Sequence, residues 1–296
     1  MKFPTHPAFF RWQPAAWLRV SGADAASFLQ GQFTNELRDL KAGAASYGLW
    51  LNVKGKVVAD SFVVRGAASD EFWVGSYFST ASVIRERLES FVIADEVVVE
   101  DQTNTWAGVT LLGREAASLL GATQSDELIF PGRRERVENF EWLFPAKKTA
   151  AVRARLAGLP EISSDEMMRR RIAAGIPAVP VDVGLGDLPN EGGLESEAIS
   201  YTKGCYLGQE VMARLKSMGQ VRRRLMRVGS PSEKIPPLPA DLFLGERKVG
   251  NLRSAAPDDA GGFVGLAMLS LVHHAPGAVL SFFPNGIPAV QLVDPP

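Results

Sequence analysis

The octapeptide Gly22-Ala23-Asp24-Ala25-Ala26-Ser27-Phe28-Leu29 returns later in the chain as Gly113-Arg114-Glu115-Ala116-Ala117-Ser118-Leu119-Leu120. Each copy follows a strand-like run, Trp17-Leu18-Arg19-Val20 in the first case and Trp106 to Leu112 in the second. A second echo keeps the same order. Glu71-Phe72-Trp73-Val74 precedes a helix-like Ser82 to Leu88, and Glu141-Trp142-Leu143-Phe144 precedes a helix-like Lys148 to Ala157. Two ordered correspondences predict an internal duplication of one strand–helix–hairpin–helix unit. The competing explanation is chance repetition of common strand–turn–helix grammar. Because each unit mixes sheet and helix, the expected class is α+β, with helices packed on largely antiparallel sheets.

The remaining pattern fits around those units. Residues 1 to about 15 are proline-rich and read as a loose lead-in. Ser21 to Asp24 is a capping turn, and Ala25 to Leu37 carries a helical stripe of Phe28, Leu29, Phe33 and Leu37. Tyr47 to Leu51, Lys56 to Arg65 and Glu71 to Tyr77 read as strands; Ser79 caps a helix to about Phe91, and Glu96 to Glu100 returns as a strand. Ser164 to Ala174 is a further helix, followed by a glycine- and proline-rich connection, Pro180 to Gly193. Beyond Arg224, short apolar runs at 225–228, 248–253, 263–269, 278–283 and 289–293 alternate with turns, the grammar of a small antiparallel barrel. The expected division is therefore 1–220 and 221–296.

The chain's only cysteine, Cys205, lies in Lys203-Gly204-Cys205-Tyr206-Leu207-Gly208-Gln209-Glu210. Just beyond, Val211, Met212, Leu215 and Met218 follow one helical stripe, so a short amphipathic helix is expected from about Gln209 to Met218. Gly208 opens it, Gly219 stops it, and Glu210 and Arg214 are spaced as an i,i+4 pair. Cys205 then sits on a glycine-flanked turn before a helix N-terminus, where the helix dipole and Lys203 both favour thiolate. A buried cysteine serving as a small hydrophobe is the equally weighted alternative.

Residue counts exclude some chemistry. Cys205, His6, His273 and His274 are the only soft ligands, too few for a four-cysteine cluster or a usual structural zinc site. The adjacent His273 and His274 would point to opposite faces of a strand. No metal is expected to be bound by the chain alone. The formal net charge of -1 gives no pull toward nucleic acid or anionic membrane. The runs Arg169 to Arg171 and Arg222 to Arg224 lack interleaved aromatics and read as solvated faces. With no secretory leader and no run of ~18 apolar residues, the expectation is a cytoplasmic protein that is soluble and monomeric.

The stretch Lys203-Gly204-Cys205-Tyr206-x-Gly208-Gln209-Glu210 resembles the signature of the YgfZ family. Those are folate-binding proteins needed to maintain certain iron–sulfur enzymes, related to the glycine-cleavage T-protein, an aminomethyltransferase that uses tetrahydrofolate. Ser21 to Asp24 with Gln30-Gly31-Gln32 and Thr34-Asn35, Lys54-Gly55-Lys56 with Asp60, and Ala173-Ala174-Gly175-Ile176-Pro177 extend the likeness along the chain. The resemblance implies three domains ringing a central folate cavity bordered by the cysteine motif. It also implies tetrahydrofolate as cofactor, with Trp17, Met167, Tyr206, Gln209 and Glu210 as candidate contacts. Trp17 matches a folate-stacking tryptophan. Met167 stands where a second would be, and it can pack a ring face but not stack on it. T-proteins carry paired aspartates where this chain has Ala59-Asp60, and a pterin-gripping glutamate where it has Ala173. An alanine can neither accept a pterin N–H nor titrate, which argues against the usual aminomethyl transfer.

The function this implies is a tetrahydrofolate-dependent accessory factor for assembly or repair of iron–sulfur client enzymes, with Cys205 as the working thiol tuned by Lys203. The alternative is a folate-dependent one-carbon transferase or demethylase using Asp60 as acid or base. A folate-binding scaffold with a merely structural cysteine is a third.

Overall fold

A computed structural model of the chain describes residues 7–113, 126–272 and 278–293. It opens with a strand, β1 (Ala8–Trp12), where the proline-rich composition predicts a loose lead-in. Ala8 and Phe9 are buried there, and the strand pairs over its whole length with residues 108–112 of a later strand.

The first sheet follows directly. It is built from β2 (Ala16–Ser21), β3 (Ala45–Leu51), β4 (Val57–Arg65), β5 (Glu71–Ser76) and β6 (Val98–Asp101), in the order β3-β4-β5-β2-β6 with every pair antiparallel. Helices α1 (Ala25–Gln32) and α2 (Ala81–Glu89) supply Phe28, Leu29, Ile84 and Leu88 to one core with Leu18, Val20, Val63 and Val74 from the strands. The sequence predicts α1 to run on to Leu37, but it stops at Gln32. Thr34 is drawn into a different set of bonds: its N–H donates to the Leu49 carbonyl, its hydroxyl donates to the Ala198 carbonyl, and its own carbonyl accepts from the Ser200 N–H.

The second sheet has the order β1-β7-β9-β8, with β7 (Trp106–Leu112), β8 (Leu128–Pro131) and β9 (Asn139–Pro145). A short helix, α3 (Thr149–Arg155), covers it, packing Val152 with Trp142 and Phe144. The pairing of β8 with β9 and of β9 with β7 repeats that of β4 with β5 and of β5 with β2. Four strands of the first sheet thus share one order with the second sheet, as a duplicated unit would, and β1 stands beside β7 as β6 stands beside β2. The helix expected from the echo at 114–120 lies outside the described residues.

Helix α4 (Ser164–Ala173) is capped by Ser163, whose hydroxyl accepts from the Glu166 N–H at 3.2 Å. The glycine–proline connection then leads to α5 (Gln209–Met218), with the bounds the apolar stripe predicts. The third sheet holds β10 (Arg223–Ser230), β11 (Ala240–Leu244), β12 (Arg247–Pro257), β13 (Phe263–Ser270), β14 (Val279–Leu280) and β15 (Val290–Leu292), in the order β11-β12-β13-β10-β15-β14. A bridge between Phe243 and Ser281 joins its two edges, so the sheet is nearly closed and barrel-like. Helix α4 packs on it through Ile172, against Ala256 and Leu266. His273 and His274 lie outside the described residues.

Candidate functional site

The three sheets meet at a cavity of about 910 Å³. Phe10 and Trp12 of β1, Asp60 of β4, Met167 and Arg171 of α4, and Asn251 and Arg253 of β12 all line it, together with the segment from Ile176 to Asp187. Its walls are mainly aliphatic and aromatic, and set among them are charged side chains, Asp60, Asp187 and four arginines, of which Asp60, Asp187, Arg133, Arg134 and Arg171 are buried. Apolar walls carrying a set of placed polar groups are typical of small-molecule sites.

Asp60 is the carboxylate that faces this space from the first sheet, and it is only 3% exposed. Strand alternation explains why: its neighbour Ala59 points the other way, into the core of that sheet. Of the pair aligned with the T-protein aspartates, the acid is therefore the one in the cavity. The Ser76 and Ser79 hydroxyls each donate to its Oδ1 at 2.7 Å, and the Tyr47 hydroxyl donates to Oδ2 at 3.0 Å. Burial pushes its pKa up despite these donors.

Four arginines line the same cavity. Arg133 pairs with Glu197 and lies over the Tyr47 ring at 4.2 Å. Arg171 donates to Asp182 at 2.6 Å, and Arg253 pairs with Asp187. Arg134 lies over the rings of Tyr77 at 3.9 Å and Trp12 at 4.7 Å. Sequence reasoning misses all four. It also takes 169–171 for a solvated face, whereas Arg170 and Arg171 are buried in ion pairs with Glu135, Glu166 and Asp182. Arg223 is likewise tied to Asp187 and Glu191. The one legible signal was the acidic residues of the connection, Asp182, Asp187 and Glu191, which need cations once it is buried.

The predicted site residues divide. Asp60 and Met167 line the cavity, with Met167 packed against Ala8 and Leu112. Trp17 does not: it is 1% exposed and stacks on Trp73 at 5.6 Å with Trp106 beside them. Ala173 is also off the cavity wall, and its carbonyl accepts from Arg227 at 2.8 Å.

The cysteine motif forms a separate surface. Cys205 is exposed and borders a shallow depression with Gly31, Arg38, Arg65, Phe72 and Gly204, none of which lines the large cavity. This decides between the two readings of the lone cysteine in favour of the accessible one. Lys203 is buried, and its ammonium donates to the carbonyls of Gln30 at 2.8 Å, Phe33 at 2.7 Å and Asn35 at 2.8 Å. It thus clamps the cysteine turn onto the end of α1. Burial pulls its pKa down to about 8. Tyr206 is buried among Leu49, Leu51, Val179 and Met212. The Gln209 side chain donates to the Lys203 carbonyl at 3.4 Å, closing the turn. Glu210 is exposed. Gly208 holds a left-handed conformation at φ +86, with the Asn52 carbonyl 3.0 Å from where a Cβ would sit, so only glycine fits comfortably.

Comparison with known proteins defines the class first. The family model "GCVT N-terminal domain" matches residues 8–131. The crystal structure of glycine cleavage system aminomethyltransferase T from Bartonella henselae superimposes with a TM-score of 0.82 at 18% identity, covering 97% of this chain and 85% of that one. The fold is thus that of the aminomethyltransferases. Within that class, the mitochondrial iron-sulfur cluster assembly factor IBA57 of Homo sapiens is 30% identical over 289 residues, covering 88% of this chain and 77% of its own length. The tRNA-modifying protein YgfZ of Edwardsiella ictaluri is 28% identical over 248 residues, covering 79% and 73%. The chain belongs to the YgfZ/IBA57 family, related to the glycine-cleavage T-protein. No helix among the described residues is long and apolar enough to cross a membrane.

Proposed function

We propose that the chain is a tetrahydrofolate-binding accessory protein for the assembly or repair of iron–sulfur enzymes, with the cavity as its folate site and Cys205 as its contact with the client. The observation that carries the folate half is the cavity itself: apolar and aromatic walls reached from all three sheets, with Asp60 and arginines as buried polar groups. A pterin offers N–H donors to a carboxylate, and the folate tail offers carboxylates to guanidinium groups. The relatives named for iron–sulfur cluster assembly and tRNA modification support the client half. In this reading Cys205 makes a transient bond or contact with the client from its own surface, Lys203 and Gly208 hold its turn, and the three sheets correspond to a ring of three domains.

Calorimetric titration of tetrahydrofolate, with and without Leu185→Arg at the cavity mouth, tests the folate site. Binding to wild type that Leu185→Arg blocks is the expected result. Absence of binding at millimolar ligand overturns the folate assignment.

One observation favours a second reading, folate-dependent one-carbon transfer. Asp60 faces the cavity with a raised pKa, as a general acid or base would require. Reconstitution with the other glycine-cleavage components, following methylenetetrahydrofolate, checks it. We expect no turnover, because the chain has Ala59 and Ala173 at the positions that match T-protein carboxylates. Turnover lost in Asp60→Asn would promote this reading over the first.

A further inference from the structure

Of the four arginines on the cavity wall, three have their guanidinium groups committed. Arg133 donates to Glu197 and to the Pro177 carbonyl. Arg171 donates to Asp182 and the Ile176 carbonyl, and Arg253 to Asp187 and the Asp182 carbonyl. Arg134 differs. Its backbone N–H is bonded, to Asn139 at 3.2 Å, but its guanidinium donates no hydrogen bond among the described residues. Yet the residue is only 6% exposed.

What surrounds Arg134 fixes its position without using its donors. The guanidinium lies over the rings of Tyr77, Trp12 and Phe10 at 3.9, 4.7 and 5.1 Å. Glu141 approaches its Nε at 3.6 Å, too far for a hydrogen bond. Glu141 is itself fully buried and satisfied by the Tyr77 hydroxyl at 2.6 Å and the Thr110 hydroxyl at 2.8 Å. The carboxylate therefore balances the charge on the Nε side, and the rings hold the guanidinium plane. The Nη nitrogens are left with four unused N–H donors at a cavity wall. A buried guanidinium without hydrogen bonds is costly unless something arrives to accept them.

We propose that Arg134 is the oxyanion anchor of the cavity: its two Nη groups take a carboxylate of the bound ligand in a forked, two-bond contact. If the ligand is a reduced folate, as the functional reading above holds, the group seized is a carboxylate of the glutamate tail, and the pterin is bound by other residues. The identification of the anion's carrier rests on that reading; the anion site itself does not.

The experiment is calorimetry at fixed salt on wild type, Arg134→Lys and Arg134→Met. The probes are tetrahydrofolate, 4-aminobenzoylglutamate, and a tetrahydropterin lacking the benzoylglutamate. Loss of a forked charged contact should weaken tetrahydrofolate and 4-aminobenzoylglutamate roughly ten- to hundredfold in Arg134→Met. The bare pterin should be unchanged, and Arg134→Lys should fall between, because an ammonium keeps the charge but not the fork. Should removal of the cation leave Glu141 stranded and the single variant unfolded, Arg134→Met combined with Glu141→Gln supplies the same comparison. Tetrahydrofolate binding wild type and the Arg134 variants equally would overturn the anchor while leaving the folate site standing. If tetrahydrofolate fails to bind at all, the folate reading falls instead. Arg134-dependent binding of 4-aminobenzoylglutamate would then still sustain the anion site, and its absence would overturn that too.

Discussion

Lys203 illustrates how a residue singled out for one role carries another. Its place two residues before Cys205 suggests tuning of the thiol, but its ammonium is spent on three carbonyls at the end of α1. Lys203→Met should therefore cost ~3 kcal/mol, since buried carbonyls lose a charged donor, and urea unfolding will read it directly. A second consequence concerns Asp60, whose pKa is raised chiefly by burial. Below the ordinary carboxylate value, ~3.9, the group is protonated in both folded and unfolded chains and its contribution to stability is complete. As pH rises through the raised folded value, the folded protein must bury a charge and that contribution is lost. Unfolding of wild type and Asp60→Asn at about pH 4 and pH 8 should show wild type losing ground to the variant at the higher pH. A constant difference would mean that the carboxyl ionises in the fold as it does in water. Neither burial was legible beforehand. The motif marked Lys203 and Asp60 as notable, but only the fold shows what lies within 3 Å of them. Trp17 makes the same point: its identity matches a folate-stacking position, while its surroundings are two other tryptophans.

At the scale of elements the sequence was far more transparent. The apolar stripe matches the bounds of α5, and the internal echo predicted a repeated unit, whose strands pair in a common order in the first two sheets. The failures have physical causes. β1 was hidden by flanking prolines, because it owes its strand state to pairing with β7, a partner far away in the chain. β8 and β11 are short strands of four and five residues with little alternation to detect. The arginine triplet in α4 was taken for solvent-facing because charge runs usually are. Here it is the link between helix and barrel-like sheet: Arg171 reaches Asp182 and Ser254 of β12. Asp182 is fully buried, so Arg171→Met should destabilise the protein by ~3–5 kcal/mol by stranding a carboxylate. Adding Asp182→Asn should recover part of the loss in the same denaturation assay, because the charge goes with its partner.

Across the whole molecule the decisive fact is that the two candidate sites do not touch. The cavity lies where all three sheets meet, whereas Cys205 opens onto a depression against α1 and shares no lining residue with it. A mechanism that passes a group from folate directly to the thiol would need them in one space. An accessory mechanism, in which folate occupies the cavity and the client meets the cysteine turn, does not. The separation makes a prediction that neither site yields alone. Cys205→Ser should bind tetrahydrofolate as wild type does, and it should be as stable to within ~0.5 kcal/mol, since the exposed thiol fills no core. It should nevertheless fail to restore iron–sulfur enzyme activity in cells lacking the chain. The control that makes the result interpretable is alkylation of folded wild type, which should proceed at the rate of an accessible thiol and be unaffected by saturating tetrahydrofolate. Protection by folate would place the thiol within reach of the ligand and revive direct transfer. Full rescue by Cys205→Ser would remove the cysteine from the function and leave the cavity to account for it.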